Sequence, residues 1–123
     1  MKSPLNIVNE FLRLTNDKHD ISGAVTLMAK DIQFIGPVME IKGAQEYKQI
    51  LEKFLPFHAG WEKIAEFANG SEVCVIDELY LKTPAGGDLT LKISERFSVN
   101  DGKISKHEIY YDPRAFMTAF GMQ

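Results

Sequence analysis

Apolar positions follow two different periods along this chain. Up to about residue 55 they recur at helical spacing, and from Trp61 onward they alternate. Ser3 followed by Pro4 is an N-cap and a first helical residue. Leu5, Val8, Phe11 and Leu12 then keep helical spacing, with Ile7 and Leu14 widening the stripe, which predicts a helix over 4–17. Asp20 caps a second, short helix over 21–28, and 31–35 reads as a strand stopped by Gly36-Pro37. Ala44, Tyr47, Ile50, Leu51, Phe54 and Leu55 share one face of a third helix, opposite Gln45, Glu46, Lys48, Gln49, Glu52 and Lys53, and Pro56 ends it.

Four strands follow, at 61–68, 72–82, 89–99 and 103–111. Asn69-Gly70 is a strong hairpin signal. Thr83 to Asp88 and Asn100-Asp101-Gly102 are the next turns, and Asp112-Pro113 opens a last short helix carrying Phe116, Met117 and Phe120, with Asp112 as its N-cap. Helices followed by an antiparallel meander predict one α+β domain over 1–123, with helices on one face of the sheet.

Individual strands carry the candidate chemistry. In 89–99 one row reads Leu89, Leu91, Ile93, Glu95, Phe97, Val99, and the other reads Thr90, Lys92, Ser94, Arg96, Ser98. Glu95 therefore points with the core, where a carboxylate must be partnered, hydrated or protonated. A three-residue loop Asn100-Asp101-Gly102 sets Val99 opposite Lys103 and hence Glu95 opposite His107, Phe97 opposite Ser105 and Ile93 opposite Ile109. That pair is either a cross-strand salt bridge or part of a site. The strand 72–82 is ambiguous by period alone, since Val73, Val75, Asp77, Leu79, Leu81 and Cys74, Ile76, Glu78, Tyr80 are each apolar rows with one acid. Two apolar faces predict a sheet covered on both sides, hence a homodimer through the outer face.

Bulk properties remove alternatives. A 123-residue chain with 45% apolar and 25% charged residues can bury a core of its own. The net charge of −3, with scattered basic residues, gives no nucleic-acid stripe. No stretch reaches the ~20 apolar residues of a membrane span, and no signal-peptide block follows Met1, which together predict a cytoplasmic protein. The single Cys74 reads as a buried, reduced thiol. His19 and His58 read as solvated, and Trp61, Phe11, Phe34, Phe54, Phe67 and Phe97 read as core aromatics. Metal-ligand spacing, phosphate-cradling glycine loops and nucleophile elbows are all missing, so neither metal nor cofactor is expected.

The order of elements, with Ala29-Lys30-Asp31, Lys42-Gly43, Asn69-Gly70 and above all Phe97-Ser98-Val99-Asn100-Asp101-Gly102-Lys103-Ile104 running to Tyr110-Tyr111-Asp112, resembles the nuclear-transport-factor-2-like superfamily. That group includes SnoaL-like polyketide cyclases, ketosteroid isomerases and limonene epoxide hydrolases. The resemblance implies a cone-shaped fold, three helices packed on a curved, mainly antiparallel sheet around a small-molecule pocket, and commonly a dimer. It also lets active-site positions be compared. The acid–arginine–acid set of the epoxide hydrolases falls on Glu78, Ile76 and Ile109, and their tyrosine and asparagine on Phe34 and Gly36, so only Glu78 survives. The general base of the isomerases falls on Gly36, their oxyanion tyrosine on Phe11 and their second, acidic donor on Glu95. The same comparison turns Glu78 and Ile76, rather than Asp77, toward the pocket.

The expected site is thus Glu78, Glu95 and His107 as proton-transfer groups in a cavity walled by Phe11, Phe34, Ile76, Phe97, Ile109 and Tyr111. Its expected occupant is a small apolar or aromatic molecule. The rival classes are a binding protein without catalysis and a protein-interaction module, since one fold hosts unrelated functions.

Overall fold

In the computed structural model, which describes residues 2–122, helix α1 spans Pro4–Leu12. Ser3 Oγ accepts from Asn6 N at 3.1 Å, as an N-cap should. The predicted helix does not run on regularly to residue 17, because Arg13–Asp17 is a π-helical turn. Thr15 Oγ1 donates to Phe11 O at 3.0 Å and Asn16 Nδ2 to Leu12 O at 3.1 Å. Side chains that take these carbonyls loosen the α-helical ladder there.

Asp20 caps helix α2 (Ile21–Val25) by accepting from Gly23 N at 2.9 Å. Strand β1 then runs Met28–Ile35, and β2 is a three-residue strand, Glu40–Lys42, too short for any period to reveal. Helix α3 (Ala44–Phe54) ends in a 3-10 turn, Leu55–Phe57. Strands β3 (His58–Asn69), β4 (Glu72–Lys82), β5 (Asp88–Asn100) and β6 (Lys103–Tyr110) form the meander. Helix α4 (Arg114–Ala119) follows, which makes four α-helices among the described residues where the fold expectation had three on the sheet. Pro113 occupies the N-cap position of α4, and Asp112, one residue earlier, holds Arg114 N at 3.1 Å.

The sheet order is β2-β1-β6-β5-β4-β3, antiparallel except where β1 runs parallel to β6. The sheet curves around α1 and α3. Val8, Phe11 and Leu12 of α1 pack on Val73, Val75, Phe97 and Ile104, and a second apolar cluster joins Leu81, Leu91 and Ile93 to Phe116 of α4.

Two hairpins depart from the expected pairing, and together they decide what faces the cavity. The β4–β5 loop has five residues, Thr83–Gly87, not six, because Lys82 pairs with Asp88. Thr83 closes it by accepting from Gly86 N at the main chain and from Gly87 N at Oγ1. One residue fewer inverts the strand. Val73, Val75, Asp77, Leu79 and Leu81 turn inward, while Ile76 and Glu78 turn outward. The expectation that Glu78 and Ile76 line the pocket is therefore corrected, and Leu79 and Leu81, which that expectation turned to the outer face, line the cavity instead.

The β5–β6 loop is the two-residue turn Asp101-Gly102, both at positive φ (53° and 75°) as a type I′ turn requires. A bulge beyond Ser98 then shifts the pairing, so His107 stands opposite Phe97 and Glu95 opposite Ile109. The direct Glu95–His107 opposition is thus displaced by two residues. An even displacement leaves both side chains on the same face, as diagonal neighbours within reach.

Candidate functional site

A cavity of about 210 Å³ opens between the inner sheet face, α1, the π-turn and α3. Its walls are mostly apolar, and four buried polar side chains converge on one of them: Tyr47, Asp77, Glu95 and His107. Each comes from a different element (α3, β4, β5 and β6), so the cluster exists only in the folded sheet.

His107 is the hub. Its Nε2 lies 2.7 Å from Glu95 Oε1 and its Nδ1 2.6 Å from Tyr47 Oη. The ring stacks on Phe97 with centroids 4.0 Å apart, and the edges of Phe34 and Phe11 close around it. Burial in this aromatic cage lowers the imidazole pKa to about 3, with Asp77 pulling the other way. The same burial raises the Glu95 carboxyl above its usual value, with a hydrogen bond from Asp77 working the other way. The 2.7 Å contact would qualify as an ion pair by distance, but both shifts disfavour charge separation, so His107 is a neutral imidazole. Burial first, and then the charge of Glu95, hold the Tyr47 phenol well above its ordinary value, so it keeps its proton. The tautomer follows: Tyr47 O–H donates to Nδ1, and Nε2–H donates to Glu95.

Asp77 sits beside this chain, 2% exposed. Trp61 Nε1–H donates to its Oδ2, while Oδ1 is buried without a protein partner other than the neighbouring Glu95 carboxyl. Two buried carboxylates this close cannot both ionise cheaply. Burial, then the hydrogen bond and charge of Glu95, push Asp77 up to about 9, against the lowering effects of Trp61 and His107. Asp77 therefore carries a proton at neutral pH, and that proton satisfies the otherwise orphaned oxygen.

The expected residues fall into three groups. Glu95 and His107 are brought together in the cavity wall, and Phe11, Phe34 and Ile109 line it. Phe97 is fully buried behind His107 and supports the imidazole from below, while Tyr111 lies farther along, in a second cavity. Glu78 and Ile76 are on the outer face: Glu78 pairs with Lys92 in the ladder and accepts from Tyr80 Oη at 3.4 Å, and Ile76 is exposed.

Sequence reasoning missed Asp77, Tyr47 and Trp61 as site residues. Asp77 gave the same signal as Glu95, one acid in an apolar row, and was set aside when the family comparison turned Glu78 and Ile76 toward the pocket. Tyr47 was visible as a phenol on an apolar helix face, where its hydroxyl needs a partner. At the rim, His58 is not simply solvated, since Nε2 lies 3.0 Å from Asn16 Oδ1 and its ring meets His19 edge-on. Burial and then His19 lower its pKa. No cluster of three or more His, Cys, Asp or Glu with metal-holding geometry occurs among the described residues, and none of their helices is long and apolar enough to cross a membrane.

Residues 8–107 match the family model of the SnoaL-like domain. No curated protein matches the chain. Among solved structures it is similar to an NTF2-like protein of unknown function from Cytophaga hutchinsonii, at 23% identity and TM-score 0.82, over 95% of this chain and 96% of that one. It is also similar to an NTF2-like protein from Burkholderia pseudomallei, at 15% identity and TM-score 0.85, over 98% of each chain. A third similar structure is TerC co-crystallised with polyporic acid, at 19% identity and TM-score 0.81, over 94% of this chain and 96% of that one. At these identities the likeness establishes the fold alone.

Proposed function

The chain belongs to the SnoaL-like domain family, and from that premise we propose that it is a proton-transfer enzyme acting on a small neutral carbonyl compound without a cofactor. One observation carries this reading: two buried carboxyls, Asp77 and Glu95, share one wall of an apolar cavity, where burial raises both and Asp77 reaches about 9. Environments that hold two carboxyls in different protonation states separate an acid from a base.

The Asp77 proton, otherwise directed at Glu95, turns to the carbonyl oxygen of the ligand as the carboxyl shifts toward the cavity. Glu95, as the carboxylate, removes a proton from the adjacent carbon, and the resulting electron pair moves onto the oxygen held by Asp77. Return of the same proton from Glu95 to another carbon of the conjugated system completes an isomerisation with no net proton gained or lost. His107 is a positioning residue. Its Nε2–H steadies Glu95, and Tyr47 fixes the ring through Nδ1. A general acid and base of this kind contribute typically 10²–10⁴-fold each.

Exchange of the α-hydrogens of small ketones in heavy water, followed by NMR, tests the reading. Wild type should accelerate exchange, Glu95→Gln should abolish the acceleration, and Asp77→Asn, which still offers a donor, should only reduce it. Ketone binding without any exchange above the solvent rate would leave a binding protein instead. That second reading has its own support, because Tyr47, His107 and Glu95 already satisfy one another and Asp77 is engaged by Trp61 and Glu95. The crystallisation of the similar TerC with polyporic acid supports a pocket occupant in either case.

The same proposal includes a homodimer through the outer sheet face, with a different residue set from the one first expected. Ile64, Phe67, Ile76 and Tyr110 are 40–61% exposed there. The ladders set Phe67 against Cys74, and Ala65, Ile76, Ser94 and Tyr110 in one row. A contiguous patch of this kind on a sheet face is suited to a second copy of the chain.

A further inference from the structure

Beyond the polar wall lies a second cavity of about 120 Å³, lined by Gly36, Val38, Met39, Leu91, Tyr111 and Phe116 among others. It adjoins the first. Phe34, Ile50, Phe54, Leu79, Ile93 and Ile109 line both, so the two lobes meet across shared side chains. The first lobe holds all four buried polar groups and the rim, whereas Tyr111 is the nearest to a polar lining residue that the second offers. Gly36 marks the junction, since a Cβ built there would stand 3.2 Å from Ile109 Cγ1 and 3.6 Å from the Phe34 ring. Absence of a side chain at Gly36 leaves Ile109 the room to sit between the lobes.

We propose that the second lobe is the binding site for an apolar tail, and that the ligand is a neutral carbonyl compound extended by an unbranched hydrocarbon chain. This rests on the proposed role of the first lobe for the position of the carbonyl. The head is neutral because the first lobe already contains two carboxyls, Asp77 and Glu95, in an otherwise mostly apolar lining, where a third acid is disfavoured. The tail is apolar because, Tyr111 apart, every residue lining the second lobe is glycine or has an apolar side chain. It is unbranched because an unbranched chain is the least bulky that can pass Ile109, Phe34 and Phe54, which line both lobes.

Methyl ketones from butanone to undecanone test this, with the fluorescence of Trp61 as reporter. Trp61 is the single tryptophan of the chain and lines the first lobe. Each methylene that enters an apolar lobe strengthens binding by about fourfold, from a burial value of ~0.8 kcal/mol per methylene. Affinity should rise with chain length by about that step and level off once the second lobe is full. Val38→Phe, which fills that lobe, should move the plateau to shorter chains and leave butanone affinity unchanged. Equal affinity across the series, or a Val38→Phe variant that weakens butanone and undecanone alike, would overturn the proposal. Exchange of butanone α-hydrogens without chain-length dependence overturns the second lobe alone. Chain-length dependence without exchange overturns the catalytic reading alone, and no binding by any ketone overturns both.

Discussion

Tyr47 Oη stands 2.6 Å from His107 Nδ1, and this bond ties α3 to β6 across the buried end of the cavity. Both residues are under 5% exposed, so no water replaces a lost partner cheaply. Tyr47→Phe keeps the ring that packs on Phe34 at 4.8 Å and removes only the donor. Leaving Nδ1 an unsatisfied buried acceptor should cost about 1–3 kcal/mol. Thermal unfolding should show a lower Tm with an unchanged circular dichroism spectrum. An unchanged Tm would show that Nδ1 finds another donor.

The neutral state of His107 leads to a spectroscopic expectation. With a pKa of about 3, the ring should stay neutral from pH 8 down to pH 5, with the proton on Nε2 toward Glu95. Nitrogen-15 NMR of the imidazole distinguishes the two tautomers and the imidazolium. Protonation of His107 near its ordinary value of 6.5 would restore the structural ion pair and remove the basis for treating Glu95 as a base.

Asp77 and Glu78 are adjacent, and the strand sends them to opposite sides. Asp77→Asn should change ketone affinity or exchange, whereas Glu78→Gln should leave both unaltered and shift stability by no more than about 0.5 kcal/mol. Isothermal titration with the tightest-binding ketone measures this directly. A loss of binding confined to Glu78→Gln would mean that the inward row of β4 has been assigned backwards.

How far the site was legible follows from these neighbours. Every long element was visible in its period, and β4 was placed to the residue. Glu95 was readable because the other row of β5 is polar, which leaves one choice of face. β4 has no such asymmetry, and the family comparison chose the wrong face; what decides it is that the loop after β4 closes with five residues and not six, through hydrogen bonds of Thr83. The Glu95–His107 contact was recovered despite a wrong pairing, because the turn and the bulge each moved the register in the same sense and the total was even. Tyr47 completes the cluster from a helix, and no strand register could have supplied it.

Cys74 is half-buried on the outer face, with Sγ 3.7 Å from Ser94 Oγ, and not sealed in the core as its apolar neighbours suggested. It stands opposite the exposed Phe67 in the β3–β4 ladder. If the outer face is the dimer interface, Ile76→Glu should give a monomer by sedimentation, and Cys74 should react faster with thiol reagents in that variant than in wild type. A wild type already monomeric at tens of micromolar, roughly the range where an interface of standard size holds, would refute the dimer.

The protonated state of Asp77 makes stability depend on pH in a defined direction. Its carboxyl is raised from 3.8 to about 9, so across that window the unfolded chain has released a proton that the folded chain retains. Stability then falls as pH rises, because the folded state binds more protons. Glu95, also raised, acts in the same direction above its ordinary 4.5. His107 acts oppositely. Lowered from 6.5 to about 3, it refuses a proton that the unfolded chain accepts, so between those values its contribution grows with pH. The two effects offset each other in mildly acid solution, and above about pH 6.5 the carboxyls act alone. Asp77→Asn keeps the shape, the acceptor for Trp61 and a donor toward Glu95, and removes the titration. Its Tm relative to wild type should therefore climb steadily from pH 6.5 to pH 9, with the smallest advantage near pH 4. Melting curves of the two proteins across that range decide the matter, and parallel profiles would mean that Asp77 is ionised in the folded protein and that the cavity holds no carboxylic acid there.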